Sequence, residues 1–142
     1  MTTLLAIAWL VTAQHHAGMP FDQDKTVHHF TLTPNGGTIA VTVKDAADTA
    51  NLAMIRMHLQ QIATDFAKGN FDSPFATHGE LPAGAEQMQT LQKEIRYRYR
   101  ESRVGGIVEI ASNDATAIDA VHAFLRYQIT QHRTGDSLSV KR

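Results

Sequence analysis

The chain has 142 residues, of which 43% are hydrophobic and 19% are charged, and its formal net charge is -1. This composition is typical of an ordinary globular domain and excludes both a disordered tail and a protein with several membrane spans. Because the chain is nearly neutral, we expect no nucleic-acid partner and no general attraction to anionic lipid. The sequence contains no cysteine, which excludes disulfides, thiolate metal sites and thiol nucleophiles.

The N-terminal segment has the pattern of a signal peptide. An apolar run at residues 4–11 is too short to span a bilayer, and small residues that suit a cleavage site follow it up to Ala13. No Lys or Arg precedes this run, so a buried strand or helix is the alternative. We predict a signal peptide over residues 1–13, a periplasmic or secreted protein with no stable membrane span, and a flexible leader with histidine and methionine over residues 14–25.

The first regular pattern is that of a β-hairpin followed by a helix. Residues 26–43 alternate between apolar and polar side chains on both sides of a Pro-Asn-Gly-Gly turn, which predicts two paired strands. Asp45 and Asp48 then offer capping oxygens for a helix. Its apolar residues recur at three- and four-residue spacing until Gly69 ends it.

The second half repeats this order. Two alternating runs surround Gly105 and Gly106, which follow the first Gly-Gly pair by 69 residues, and Asp114 precedes a second helical pattern. That helix ends at Gly135, which follows Gly69 by only 66 residues, so we expect the second helix to be shorter by about one turn. The matching order of features predicts a tandem ββα-ββα pseudo-repeat.

These patterns predict a single α+β domain over residues 26–136, in which a four-stranded antiparallel sheet carries two helices on one face. The halves cover residues 26–69 and 94–135. Between them, residues 70–87 show no periodicity and form a long linking loop of the kind that often carries function. Residues 137–142 are expected to be a frayed tail.

Histidine is the enriched side chain with metal chemistry, because the chain has eight of them. Strand alternation turns His28 toward the helices, and helical spacing places His58 and His122 beside the apolar stripes of the two helices. We predict that these three rings meet between the sheet and the helices, where imidazole nitrogens suit copper, zinc or iron. Two alternatives stay open: each ring bonds to the backbone within a packed core, or His28, Tyr97 and His122 are acid and base groups of a small enzyme.

The leader offers a second metal site. Cleavage after Ala13 would expose an amine followed by His15 and His16, a nitrogen set that suits Cu(II), and Met19 adds a soft ligand for Cu(I). The alternative is a disordered leader with no ligand.

An arginine row is the third feature. Alternation places Arg96, Arg98 and Arg100 on the sheet face away from the helices, where guanidinium groups could bind phosphate or carboxylate. A solvated sheet face is the default interpretation, and a homodimer through the open sheet face is the other.

Several segments together resemble a group of small exported bacterial proteins of unknown function. The resemblance is carried by HAGMPFD at 16–22, TVHHF at 26–30, IRMHL at 55–59, VHAFLRYQI at 121–129 and TGD at 134–136. Sequences of this appearance sometimes carry the label aspartate carbamoyltransferase. The chain lacks the Ser-Thr-Arg-Thr phosphate-binding stretch and the His-Arg-Pro segment of that enzyme, so its motifs do not support the label.

The sequence also lacks the common nucleotide-binding, zinc-protease and serine-hydrolase motifs. We therefore expect an exported protein without catalytic activity that binds a metal, copper first and zinc second. The alternative is a structural or partner-binding module that uses the arginine row or the loop at residues 70–87.

Overall fold

The computed structural model describes residues 19–142, so the predicted signal peptide and most of the predicted leader lie outside the described residues. The regular elements are β1 (Thr26–Thr33), β2 (Gly36–Val43), α1 (Thr49–Ala67), α2 (Asp72–His78), α3 (Ala85–Thr90), β3 (Ile95–Ser102), β4 (Gly105–Ser112) and α4 (Ala115–His132). The predicted α+β class with a four-stranded antiparallel sheet is confirmed. Among the described helices, none has the length and apolar character needed to cross a bilayer.

The sheet joins two hairpins through their second strands. Its strand order is β1-β2-β4-β3, and every neighbouring pair is antiparallel. Glycine at two sheet positions allows the helices to approach closely. A Cβ atom built on Gly37 would collide with Leu125 of α4, and one on Gly106 would lie 3.1 Å from Cδ1 of Leu59 in α1. The two Gly-Gly pairs therefore provide contact points for helices as well as strand starts.

The core forms where strand alternation and helical spacing predict it. The buried residues of α1 include Ile55, Leu59, Ile62 and Phe66, at three- and four-residue intervals. They belong to one hydrophobic cluster with alternate residues of all four strands. Since a strand turns successive side chains to opposite faces, one sheet face is buried and the other is partly exposed.

The helix caps correct one expectation about the two halves. The Asp48 side chain accepts the N–H of Asn51 at the start of α1, whereas Asp45 accepts the N–H of Ala47 and does not cap. Asp114 caps α4 in the same way. The caps are already 66 residues apart, and the helices contain 19 and 18 residues. The difference between the halves therefore lies in the connection from strand to helix, and the expected loss of a helical turn is wrong.

The linking segment contains two short helices, although we expected a loop without regular structure. The ring of Phe71 lies 4.3 Å from the ring of Phe66, and Pro74 and Met88 are buried. These helices have seven and six residues, so neither is long enough to show an apolar period in the sequence. The buried side chains fasten the segment to the rest of the domain.

The C-terminal tail is attached to the sheet, although we expected it to be frayed. The N–H of Lys141 donates to the carbonyl of Leu32 at 2.8 Å, and Nε of Arg126 donates to the carbonyl of Leu138 at 2.9 Å. Just before the tail, Oδ2 of Asp136 accepts the N–H of Phe30 at 2.9 Å. The bonds from Lys141 and Asp136 satisfy outward backbone groups of β1, which is an edge strand, and the Arg126 bond joins the tail to α4.

Candidate functional site

A pocket opens between β1, α1, α2 and α4. Its empty space totals about 460 Å³, part of it open to solvent, and its walls are mostly apolar side chains of the core. The lining residues with polar, titratable or sulfur-containing side chains are Met19, His28, His58, Ser73, Thr77, His78 and Gln128. Three histidines from three different elements therefore line one pocket.

His28 lies in this pocket as strand alternation predicts. Its ring stacks on the ring of His132, with centroids 5.0 Å apart, and lies 5.7 Å from the ring of Phe21. Burial, then the neighbouring His58, and then His29 lower the pKa of His28 to about 4. At neutral pH the imidazole is therefore uncharged.

His58 enters the pocket from the flank of α1. Its ring meets the ring of Phe21 edge-on at 5.5 Å. Burial lowers the pKa of His58, and Asp65 opposes this shift only in part. His58 is uncharged at neutral pH for the same reason as His28, and a neutral imidazole is the form that binds a metal.

Met19 completes this part of the pocket. It is half-buried, packs against the core and lines the pocket together with His28 and His58. Thus three of the six predicted metal ligands lie in one pocket. His15 and His16 lie outside the described residues.

His122 does not line the pocket. It is buried, and its Nε2 lies 2.8 Å from the carbonyl oxygen of Thr33, so the ring has the backbone partner that was the alternative interpretation. Thr33 is the last residue of β1, and five residues separate it from His28. At about 3.3 Å per residue, the two positions are ~17 Å apart along the strand.

The sequence did not predict that His78 lines the pocket or that His132 lies beside it. The ring of His132 lies 5.1 Å from the ring of His78, in a perpendicular arrangement. Nε2 of His78 lies 3.0 Å from Oε1 of Gln128, which is 4% exposed. His78 belongs to the segment without periodicity, so its direction could not be predicted. For His132 the sequence does contain a signal, because at 100° per residue it falls near the centre of the apolar stripe of α4.

Gln128 contributes an unsatisfied group to the pocket wall. Its Nε2 is buried and has no hydrogen-bond partner among the described residues. A buried donor without a partner costs about 1–3 kcal/mol. The group is thus available to an acceptor bound in the pocket.

The pocket lined by His28, His58 and His78, here called the histidine pocket, does not contain a preformed metal site of three acidic or imidazole ligands. Within residues 19–142, no group of three or more His, Asp or Glu side chains is arranged to hold a metal ion. The set that the pocket does offer is two neutral imidazoles and a thioether, from His28, His58 and Met19.

The arginine row is exposed, as expected. Nε of Arg100 lies 3.1 Å from Oε1 of Glu109, and Nε of Arg98 lies 3.9 Å from the other oxygen of that carboxylate. On the neighbouring hairpin, Nδ1 of His29 lies 2.9 Å from Oδ1 of Asp136. The row is a separate surface from the pocket, since none of its residues lines the pocket.

Comparison with protein-family models, with curated proteins and with solved structures finds no match for this chain. The functional interpretation therefore depends on the geometry and chemistry of the described residues.

Proposed function

We propose that this chain is an exported copper-binding protein without catalytic activity, and that it holds Cu(I) in the histidine pocket through Met19, His28 and His58. The observation that carries the proposal is that these three side chains, distant in sequence, line the same pocket. Export to the periplasm or the exterior follows from the signal-peptide pattern at residues 1–13.

The donor set favours copper over zinc. A thioether is a soft ligand and selects Cu(I), while imidazole binds either metal. Zinc sites are built from thiolate, imidazole and carboxylate ligands in tetrahedral sets of four, or of three with an open position. Met19 is therefore the residue that distinguishes the two metals.

Burial prepares the two imidazoles for metal binding. A metal must displace any proton on its ligand, so a histidine with an ordinary pKa near 6.5 loses affinity as the solution becomes acidic. Because the pKa of His28 is about 4 and that of His58 is also lowered, both rings are neutral at pH 7 and each has one unprotonated nitrogen that can bind a metal. We therefore expect the Cu(I) affinity to fall less steeply below pH 7 than it would for two histidines of ordinary pKa.

A second layer of side chains supports the ligands. His132 stacks on His28, His78 packs edge-on against His132, and Gln128 bonds to His78. Such outer groups fix the orientation of a metal ligand. The orphan Nε2 of Gln128 could donate to an anion or water in the same pocket.

We also infer that the domain arose by duplication, with both long helices on one face of the sheet. The hairpin registers support this, because His28 pairs with Val41 where Tyr97 pairs with Ile110, at the 69-residue offset. The contact points Gly37 and Gly106 support a common helical face. Since Tyr97 takes the position of His28 in the other half, the second half has no equivalent of this copper ligand.

The test is a Cu(I) titration of the full chain under anaerobic conditions, in competition with a chromophoric chelator. The H15Q/H16Q variant removes the leader histidines, and we expect it to retain one tight Cu(I) in the pocket. In that background, M19L, H28F and H58F should each weaken Cu(I) binding by more than about tenfold. Mutations of residues that only support a metal ligand already cost about tenfold in affinity, so loss of a ligand should cost more.

Matched controls separate ligand loss from damage to the fold. Met57 is 62% exposed on α1, next to His58 in sequence, so M57L should leave the affinity unchanged. H122Q should lower the melting temperature without changing the affinity, because His122 bonds to the backbone away from the pocket. Wild-type affinity in M19L and H28F, with far-UV circular dichroism showing folded proteins, would contradict the proposal.

A further inference from the structure

The two edges of the sheet differ in how they are protected. The sheet ends at β1 on one side and at β3 on the other. The C-terminal tail bonds to the edge of β1 through Lys141, and Asp136 bonds to it just before the tail. In the described part of the chain, the N–H of Ile95 at the start of β3 donates to the carbonyl of Gln92, and the other backbone hydrogen bonds of β3 join it to β4. Alternate residues of an edge strand turn N–H and C=O groups outward, so β3 offers a template for another strand.

A groove runs beside this open edge, between α1 and β3. Its empty space totals about 780 Å³, it opens to solvent, and it is lined by Gln60, Ala63, Thr64, Ala67, Tyr97 and Tyr99. The Tyr97 hydroxyl is buried and has no hydrogen-bond partner among the described residues. Burial raises the pKa of Tyr97, so the hydroxyl keeps its proton and can donate to a ligand.

The other face of β3 is positively charged. Arg96, Arg98 and Arg100 are exposed and occupy alternate positions, opposite to the two tyrosines. One carboxylate, that of Glu109, is shared between Arg98 and Arg100. Three guanidinium groups against one carboxylate leave a net positive charge along the strand.

We propose that β3 binds an extended acidic peptide of a partner protein as a fifth strand of the sheet. Main-chain hydrogen bonds to the open edge supply affinity, as in other cases of strand addition. Side chains of an added strand alternate between two faces. The peptide therefore carries acidic residues at every second position, opposite the arginine row, and uncharged residues between them, over the groove.

The proposal is independent of copper binding, because the edge of β3 and the histidine pocket share no residue. It assigns a role to the arginine row that the pocket leaves unused. It also predicts the spacing of the acidic residues in the peptide. A strand presents them at every second residue, whereas an acidic helix would present them at a spacing of three and four residues.

Fluorescence anisotropy can test this with a labelled peptide of alternating glutamate and valine, about as long as β3. We expect saturable binding to the full chain that weakens about tenfold in R96E/R98E, because two favourable charge pairs become repulsive. The control R133E/R142E has the same change in net charge at exposed positions outside β3, and it should bind as the wild type does.

Two peptide series test whether the peptide pairs as a strand. N-methyl groups on one alternate set of residues block the bonds to β3, whereas those on the other set point away from it. One series should lose binding and the other should keep it. Equal binding of both series, or wild-type binding by R96E/R98E, would overturn the proposal.

A second copy of the chain is the competing occupant of the edge. Sedimentation velocity of the unliganded chain should show a monomer. A dimer that R96E/R98E dissociates would overturn the peptide proposal in favour of self-association. In either case R96E/R98E should bind Cu(I) as tightly as the wild type, so the outcome does not bear on the copper site.

Discussion

Replacing His28 with phenylalanine should remove much of the acid sensitivity of the fold. Phenylalanine keeps a ring at the position where His28 contacts Phe21 and stacks on His132. It removes the titratable nitrogens. The variant therefore isolates the protonation of one buried group while the packing of the pocket stays nearly the same.

The sign and size of the effect follow from the pKa of His28 in the two states. The folded pKa is about 4, and the unfolded value is 6.5. Between these values the unfolded chain binds a proton that the folded chain does not, so the free energy of unfolding falls as the pH falls. At 1.36 kcal/mol per pKa unit, the shift corresponds to about 3 kcal/mol, present above pH 6.5 and lost by pH 4. His58 acts in the same direction, because burial lowers its pKa as well.

Urea unfolding followed by far-UV circular dichroism, at a series of pH values from 7 to 4, measures this dependence. We expect the wild type to lose about 3 kcal/mol more than H28F over that range. The control F30L changes a buried neighbour of His28 without removing a titratable group, so it should shift the whole curve and leave its slope unchanged. Parallel curves for H28F and the wild type would refute the reasoning.

Two further predictions concern the caps and the tail. Asp48→Ala should lower the free energy of unfolding by about 1 kcal/mol because it removes the N-cap of α1, whereas Asp45→Ala should lower it much less. Thermal unfolding compares the two variants, and equal losses would contradict Asp48 as the N-cap. Asp136→Ala should destabilise the domain by about 1–3 kcal/mol, since it removes the partner of His29 and of the Phe30 N–H, while Asp119→Ala at an exposed position should be nearly neutral. Urea midpoints compare the two variants, and a neutral Asp136→Ala would show that Asp136 does not stabilise the edge of β1.

Much of the fold follows from the sequence because the strands and long helices repeat their patterns over several periods. Each eight-residue strand shows four alternations, and α1 extends over 19 residues. The short helices α2 and α3 extend over fewer than two and a half turns, so no period identifies them. The attachment of the tail depends on bonds from Lys141 and Asp136 to a strand about 100 residues earlier, which local patterns cannot report.

For the residues of the site, the sequence predicts the face of the strand or helix on which each side chain lies, but not how far along the element it meets its neighbours. Periodicity gives the face of a strand or helix on which a residue lies, and it turned His28 inward and His58 to the flank of α1. It does not give the level at which two elements cross. His122 has the predicted angle but lies beside Thr33 at the far end of β1, while His132, about 15 Å further along α4, stacks on His28.

The most direct test of the copper site is X-ray absorption spectroscopy at the copper edge, on the H15Q/H16Q chain loaded with one equivalent of Cu(I). The proposed site predicts a first shell of one sulfur and two imidazole nitrogens, with the sulfur contribution lost in M19L and kept in M57L. A shell without sulfur, or a sulfur contribution that survives M19L, would contradict binding through Met19, His28 and His58.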